Sequence, residues 1–147
     1  MRVEAYLSIG SDERTIRAIH EETNIPHASI RSYPKAKAQW SVTGEDNPWG
    51  WGTAPIPIDI DNPDDGLKAL LAMYRPIFSI VKKYRGPKTA ITLQMVTRYR
   101  QGEDPRGLYL SAETIALLNE LGGALDNDAV WLTDDYVDTQ SPVSPTR

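Results

Sequence analysis

The chain contains no cysteine, so neither a disulfide framework nor thiolate chemistry can operate in it. No stretch reaches the roughly 18 to 20 consecutive apolar residues that span a bilayer. The N-terminus enters a strand pattern directly, without the apolar segment of a signal peptide. We therefore expect a cytoplasmic protein that has no membrane partner.

Histidine and the common catalytic motifs are also scarce. His20 and His27 are the only histidines, and their spacing across a proline break matches no zinc site. The sequence holds neither a Gly-x-Ser-x-Gly nucleophile elbow nor a phosphate-binding P-loop. These absences disfavour serine hydrolases and nucleotide hydrolases, and we expect no catalytic residues, no cofactor and no structural metal.

Carboxylates are densest in one segment, which comprises Asp59, Asp61, Asp64 and Asp65. A calcium-binding EF-hand loop needs an oxygen ligand at its fifth position and glycine at its sixth, where this segment has Pro63 and Asp64. Capping of a helix that begins after Asn62 explains the acids without a metal. The acids at 126 and 128 are predicted to lie in a turn.

Charge is unevenly distributed along the chain. The formal net charge is −4 and the calculated isoelectric point is about 5.1, which argues against a nucleic-acid partner. From Asp126 onward the sequence contains five aspartates and only one basic residue, Arg147. A basic partner protein would complement this charge, whereas the central run of lysines and arginines is typical of a helix C-terminus.

The closing third carries the clearest structural pattern. Gly107–Leu110 predicts a strand, Ser111 a helix cap, Gly122 a helix stop and Ala129–Leu132 a second strand. Within the predicted helix, apolar residues recur at helical spacing, so we expect them to be buried against a sheet. They are Ile115, Leu118 and Leu121.

The first residues repeat this order. Val3–Ile9 alternates like a half-buried strand, Ser11 or Asp12 caps a helix, and Asn24 ends it. Further strands are predicted at Ile30–Tyr33, Trp40–Val42, Ile56–Ile60 and Ala90–Arg100. A long helix is predicted after Asn62, and Pro76 is expected either to kink it or to divide it into two abutting helices. The apolar stripe of this helix comprises Leu67, Leu70, Leu71, Tyr74, Phe78 and Val81.

Strands that occur in pairs between helices favour an α+β fold. We expect a two-layer sandwich of a mostly antiparallel sheet with helices, either ferredoxin-like or built from duplicated split β-α-β halves. Residues 1–138 are predicted to form a single domain, and the Ser-Pro-containing residues 139–147 a disordered tail.

The same features resemble a known family. The residues that carry the resemblance are Val3–Ile9, Trp40, the leucines at 67, 70 and 71, Gly107–Leu110 with Ser111-Ala112-Glu113, and Leu121-Gly122. In these residues the chain is similar to the bacterial domain-of-unknown-function 4279 family. The resemblance runs from about residue 3 to residue 131 and departs from the family around 47–57. It implies the fold and transfers no functional residue.

The segment Trp49-Gly50-Trp51-Gly52 is the strongest candidate for a binding site. Exposed tryptophans are enriched in binding hot spots, so we expect Trp49 and Trp51, with the nearby Glu45 and Asp46, to contact a partner. The alternative is that one or both rings fold back onto the core.

Three functions follow from these observations. The first is a non-catalytic protein-interaction domain of the immunity or inhibitor type, which binds a bacterial partner. The second is a small-ligand or carbohydrate-binding module that uses the two tryptophans. The third is an enzyme with carboxylate chemistry at Asp59, Asp61 or Glu113.

Overall fold

The computed structural model of the chain describes residues 1–32 and 49–133. In chain order these residues form β1 (Arg2–Ser11), α1 (Glu13–Thr23), β2 (Ser29–Ser32), β3 (Trp49–Gly52), β4 (Ile56–Pro57), α2 (Pro63–Tyr74), a 3-10 turn (Arg75–Ile77), α3 (Phe78–Lys83), β5 (Ala90–Tyr99), α4 (Ala112–Leu121) and β6 (Ala124–Trp131). The predicted α+β class, with a mostly antiparallel sheet and helices, is confirmed. None of the described helices is long and apolar enough to cross a membrane.

The sheet has the strand order β2-β3-β1-β5-β6, and β4 pairs with β1 beyond the end of β3. All pairs are antiparallel except β5 with β6. Because β3 lies between β1 and β2, the segment β1-α1-β2 is a split β-α-β unit, as expected. In β5-α4-β6 the two parallel strands are adjacent, so the second half differs from the expected duplication.

The core lies between the sheet and the helices. Along β1 every second residue is buried, and Leu7 pairs with Leu93 of β5 while Ala5 pairs with Met95. This register places the apolar side chains of both central strands on one face. The predicted stripe of the central helices packs against them, and all its members are buried: Leu67, Leu70, Leu71, Tyr74, Phe78 and Val81.

Local sequence signals set the ends of the first two helices. Asp12 caps α1 by accepting a hydrogen bond from the Thr15 amide at 2.8 Å, and Asn24 ends it with a φ of 46°. Pro76 lies in the 3-10 turn between α2 and α3, as predicted for two abutting helices. The side chain of Asn62 makes no capping bond and instead donates to Asp65 at 2.7 Å.

Helix α4 begins and ends as predicted, but its buried face is rotated. Ser111 caps it and Gly122 ends it with a φ of 73°. Leu121 is buried, Leu118 is half-buried, and Ile115 is 53% exposed, so the prediction for Ile115 is wrong. Thr114 is buried instead. It lies seven positions before Leu121 and therefore on the same side of the helix, whereas Ile115 is rotated by about 100° from Thr114.

Truncating Leu121 to alanine is expected to destabilise the protein by about 2 to 5 kcal/mol, the range for a buried leucine. Leu118→Ala, which removes a half-buried side chain, should cost less. Urea unfolding of both variants checks this order. Equal losses would contradict the orientation of α4.

Two predictions in the last third are wrong, one of a strand and one of a turn. Residues 107–110 form no strand, although Leu108 and Leu110 pack partly buried against the core. The predicted turn at 126–128 belongs to β6, because parallel pairing of Leu125 with Leu93 and of Asn127 with Met95 draws the segment into the sheet. The predicted strand at 40–42, residue 33 and the tail at 139–147 lie outside the described residues.

Candidate functional site

Trp51 lies in the core and not in an exposed loop. It pairs with Ile9 of β1 and Ile30 of β2, so its side chain points to the helix-covered face and is 1% exposed. Its indole Nε1 donates a hydrogen bond to Nδ1 of His20 at 3.2 Å. The expectation that this ring contacts a partner is therefore wrong, because strand pairing fixes the direction of the side chain.

Trp49 is half-buried at the start of the same strand. The Arg17 guanidinium lies 5.2 Å from its ring centroid, at cation–π distance, and also pairs with Glu13 at 3.0 Å. A sugar that stacked on this face would have to displace Arg17. The binding role of Trp49 stays a prediction, and Glu45 and Asp46 lie outside the described residues.

The histidines are placed separately. His20 is half-buried under Trp51, whereas His27 is exposed in a turn with a φ of 63°. Within residues 1–32 and 49–133, no group of three or more His, Asp or Glu side chains is arranged to hold a metal ion.

Asp64 has a structural role that the sequence did not reveal. It lies in the first turn of α2, is 8% exposed, and accepts a hydrogen bond from the Ser111 amide at 2.9 Å. Ser111 in turn caps α4 through the Thr114 amide at 3.3 Å. The backbone hydrogen bond from Ser111 lowers the pKa of Asp64, against the opposing effect of burial. This carboxylate therefore joins the first turns of two helices.

Asp64→Ala is expected to destabilise the fold by about 1 to 3 kcal/mol, because it leaves the Ser111 amide without its acceptor. Because the pKa of Asp64 is lower in the folded state, its carboxylate stabilises the fold at pH values above the unfolded-state pKa. This stabilisation is lost as the pH falls through the folded-state pKa. Urea titrations at several acidic pH values should thus show that the free energy of unfolding falls less steeply with decreasing pH in the variant than in the wild type. Asp64→Asn, which keeps an acceptor oxygen, is the control and should lose less stability. Identical acid profiles for wild type and Asp64→Ala would contradict this role.

The other candidate catalytic acids are engaged in surface contacts. Asp61 pairs with Arg106 at 2.8 Å, and Glu113 pairs with Lys68 at 3.3 Å. Asp59 accepts a hydrogen bond from the Asp61 amide at 2.9 Å. Such partnered, exposed carboxylates are typical of surface ion pairs and turn bonds.

Large exposed apolar side chains occur on β6, the last strand of the sheet. Trp131 is 55% exposed and Val130 is 40% exposed. Trp131 is also held in place, because its ring stacks on buried Tyr99 with centroids 4.9 Å apart. An ordered, half-exposed tryptophan on a sheet edge presents a rigid apolar contact area.

Two carboxylates lie on the same strand as these residues. Asp126 and Asp128 pair with Gln94 and Val96 of β5, which places them on the face opposite the helices. The side-chain amide of Gln94 donates a hydrogen bond to the Asp128 carboxylate at 2.9 Å. Partial burial, and then the charge of Asp126, raise the pKa of Asp128. We call the group Asp126, Asp128, Val130 and Trp131 the β6 edge surface.

Comparison of the chain with protein-family models, with curated proteins and with solved structures found no match. The resemblance to the domain-of-unknown-function 4279 family therefore stays a prediction. The candidate site rests on its geometry alone.

Proposed function

We propose that this chain is a non-catalytic protein-interaction domain that binds a basic partner protein through the β6 edge surface. The observation that carries the proposal is Trp131, which stacks on Tyr99 yet leaves 55% of its surface exposed. A rigid tryptophan loses little conformational entropy on binding, and tryptophan is enriched among hot-spot residues.

Electrostatics favour a basic partner. Residues 107–147 contain seven acidic side chains and one basic residue, Arg147, whereas the whole chain has a net charge of −4. Negative charge is thus concentrated in the last third, where Asp126 and Asp128 lie on the same strand as the exposed apolar residues. Such a field accelerates encounter with a positive surface and disfavours acidic competitors. An inhibitor or immunity-type protein that covers a basic active site has these properties.

A carbohydrate-binding role has weaker support. It would use the rings of Trp49 and Trp51, but Arg17 stacks on the first and the second is buried. The ion pairs of Asp61 and Glu113 likewise give carboxylate catalysis no specific support.

Affinity capture from lysate of the source cells, followed by mass spectrometry, tests the proposal. The bait is the wild type, the variant Asp126→Asn/Asp128→Asn/Trp131→Ala, or a control that loses the same charge elsewhere, Glu21→Gln/Asp104→Asn. Glu21 and Asp104 are both exposed and lie outside β6. We expect the wild type and the control to capture the same basic protein, and the β6 variant to lose it.

Purified partner and isothermal titration calorimetry then give the affinities. Thermal melting shows whether each variant is folded. A captured partner that is acidic, or that binds the β6 variant as tightly as the wild type, would overturn the proposal.

A further inference from the structure

We infer that the partner binds as an added β-strand: an extended segment with lysine or arginine at alternate positions pairs with the outer edge of β6. This inference rests on the proposed function and specifies how the β6 edge surface is used. It is carried by the direction of the backbone groups of β6, by the length of that strand, and by the placement of its charged and apolar side chains.

Within residues 1–32 and 49–133, the backbone of β6 offers unpaired groups on one side. The Leu132 amide donates to the Tyr99 carbonyl at 2.8 Å, directly after the Trp131–Tyr99 pair. Amide directions alternate along a strand, so even-numbered residues of β6 point to β5 and Asn127 and Ala129 point outward. Among the described strands none pairs with that outer side. The groups of Asn127 and Ala129 can therefore bind an incoming strand.

The strand is long enough for specific pairing. β6 has 8 residues, which corresponds to about 26 Å at about 3.3 Å per residue. Asp126 and Asp128 are two positions apart and share one face, while Trp131 lies at the strand end on the other face. A partner strand that alternates cations with apolar residues would place charges opposite the aspartates and an apolar side chain near the tryptophan.

A second copy of this chain fits the edge poorly. Two-fold pairing of β6 with itself would bring the aspartates of one copy close to those of the other. Like charges across paired strands are destabilising, and acidic residues on edge strands oppose self-association. The charge pattern therefore selects a basic segment of a different protein.

The environment of Asp128 supports this choice. Partial burial and Asp126 raise its pKa, so at pH values near that pKa a cation from the partner would favour the ionised carboxylate. Affinity should accordingly rise as the pH increases through the raised pKa of Asp128, and fall below it. Gln94 contacts the same carboxylate and is neutral.

The test measures fluorescence anisotropy of a labelled peptide that alternates lysine and valine over 8 positions, the length of β6. Ala129→Pro removes one outward amide that the sheet does not use, and proline is tolerated at such edge positions. We expect it to weaken peptide binding at least about tenfold. The control Ala112→Pro makes the same exchange at the first residue of α4, where proline is also tolerated, and should bind like the wild type.

N-methylation of alternate peptide amides gives a second measurement that leaves the protein unchanged, should Ala129→Pro fail to fold. Methylation on the edge that pairs with β6 should abolish binding, and methylation on the other edge should not. Equal binding of all methylated peptides, or of Ala129→Pro, would overturn strand addition, as would a stable dimer formed through β6.

The outcomes separate this inference from the proposed function. If the captured partner needs the β6 edge surface but the peptide does not bind, strand addition fails and the interaction function stands. If neither the partner nor the peptide binds, both fail. A peptide that alternates glutamate and valine is expected not to bind, and its binding at equal affinity would contradict the charge argument.

Discussion

Replacing Trp51 with alanine is expected to lower the free energy of unfolding by about 3 to 5 kcal/mol, the largest stability effect that we predict. The ring is 1% exposed between Ile9 and Ile30, so its removal leaves a cavity in the core. The variant also loses the hydrogen bond from the indole to His20. Because domains of this size are stable by only about 5 to 15 kcal/mol, such a loss leaves a marginal fold.

Urea unfolding followed by circular dichroism measures this loss. Trp49→Ala is the matched control, since it removes the same side chain from the same strand at a half-buried position and should cost clearly less. If both variants had the same stability, or if Trp51→Ala unfolded at the wild-type urea concentration, the placement of Trp51 in the core would be contradicted.

Reversing the charges of Asp126 and Asp128 to lysine is expected to have the largest effect on binding. Both residues are on the accessible edge strand, so the fold should persist while a basic partner meets repulsion in place of attraction. We expect the binding free energy to weaken by more than about 2 kcal/mol, the hot-spot scale, or roughly 30-fold in Kd. Added salt should weaken wild-type binding and have less effect on the variant.

Calorimetric titration with the purified partner checks the charge reversal. Glu21→Lys/Asp104→Lys makes the same net-charge change on other exposed surfaces and should lose less affinity. Equal losses in the two double variants would show that only the overall charge matters and would contradict a specific contact at β6. A dissociation constant unchanged by either variant would contradict the electrostatic argument altogether.

Local signals were sufficient for the elements whose geometry depends on neighbouring residues. The alternation along β1, the left-handed stop at Asn24 and the break at Pro76 appear where the sequence predicts them, and Asp12 is one of the two predicted caps. In each case the stabilising contact lies within a few residues, or the residue type itself restricts the backbone.

Contacts between distant segments decided the features that the sequence did not predict. Trp51 is buried because it pairs with Ile9, and its indole bond to His20 joins residues 31 positions apart. Asp64 looked like a simple first-turn acid, yet it binds an amide 47 positions away. No local pattern encodes such pairs, although a glycine beside each tryptophan is a signal for strands that pack closely.

The strand at the edge surface was missed for a related reason, although its acidic charge predicted a basic partner. The sequence Asp126-Asn127-Asp128 has the composition of a turn, and only pairing with β5 extends it into a strand. Similarly, one member of the predicted helical stripe of α4 was misplaced: Ile115 was assigned to the core in place of Thr114, whereas Leu121 is buried as predicted. A shift of one residue rotates a helix face by about 100°, which residue type alone does not resolve.

Hydrogen exchange with and without the purified partner, resolved along the chain, tests the central claim most directly. Binding at the β6 edge surface predicts slower exchange of the amides of Asn127 and Ala129, which point away from β5, with little change in α1 or near Trp49. Unchanged exchange throughout β6, together with protection centred on Trp49–Gly52 or another surface, would contradict the account.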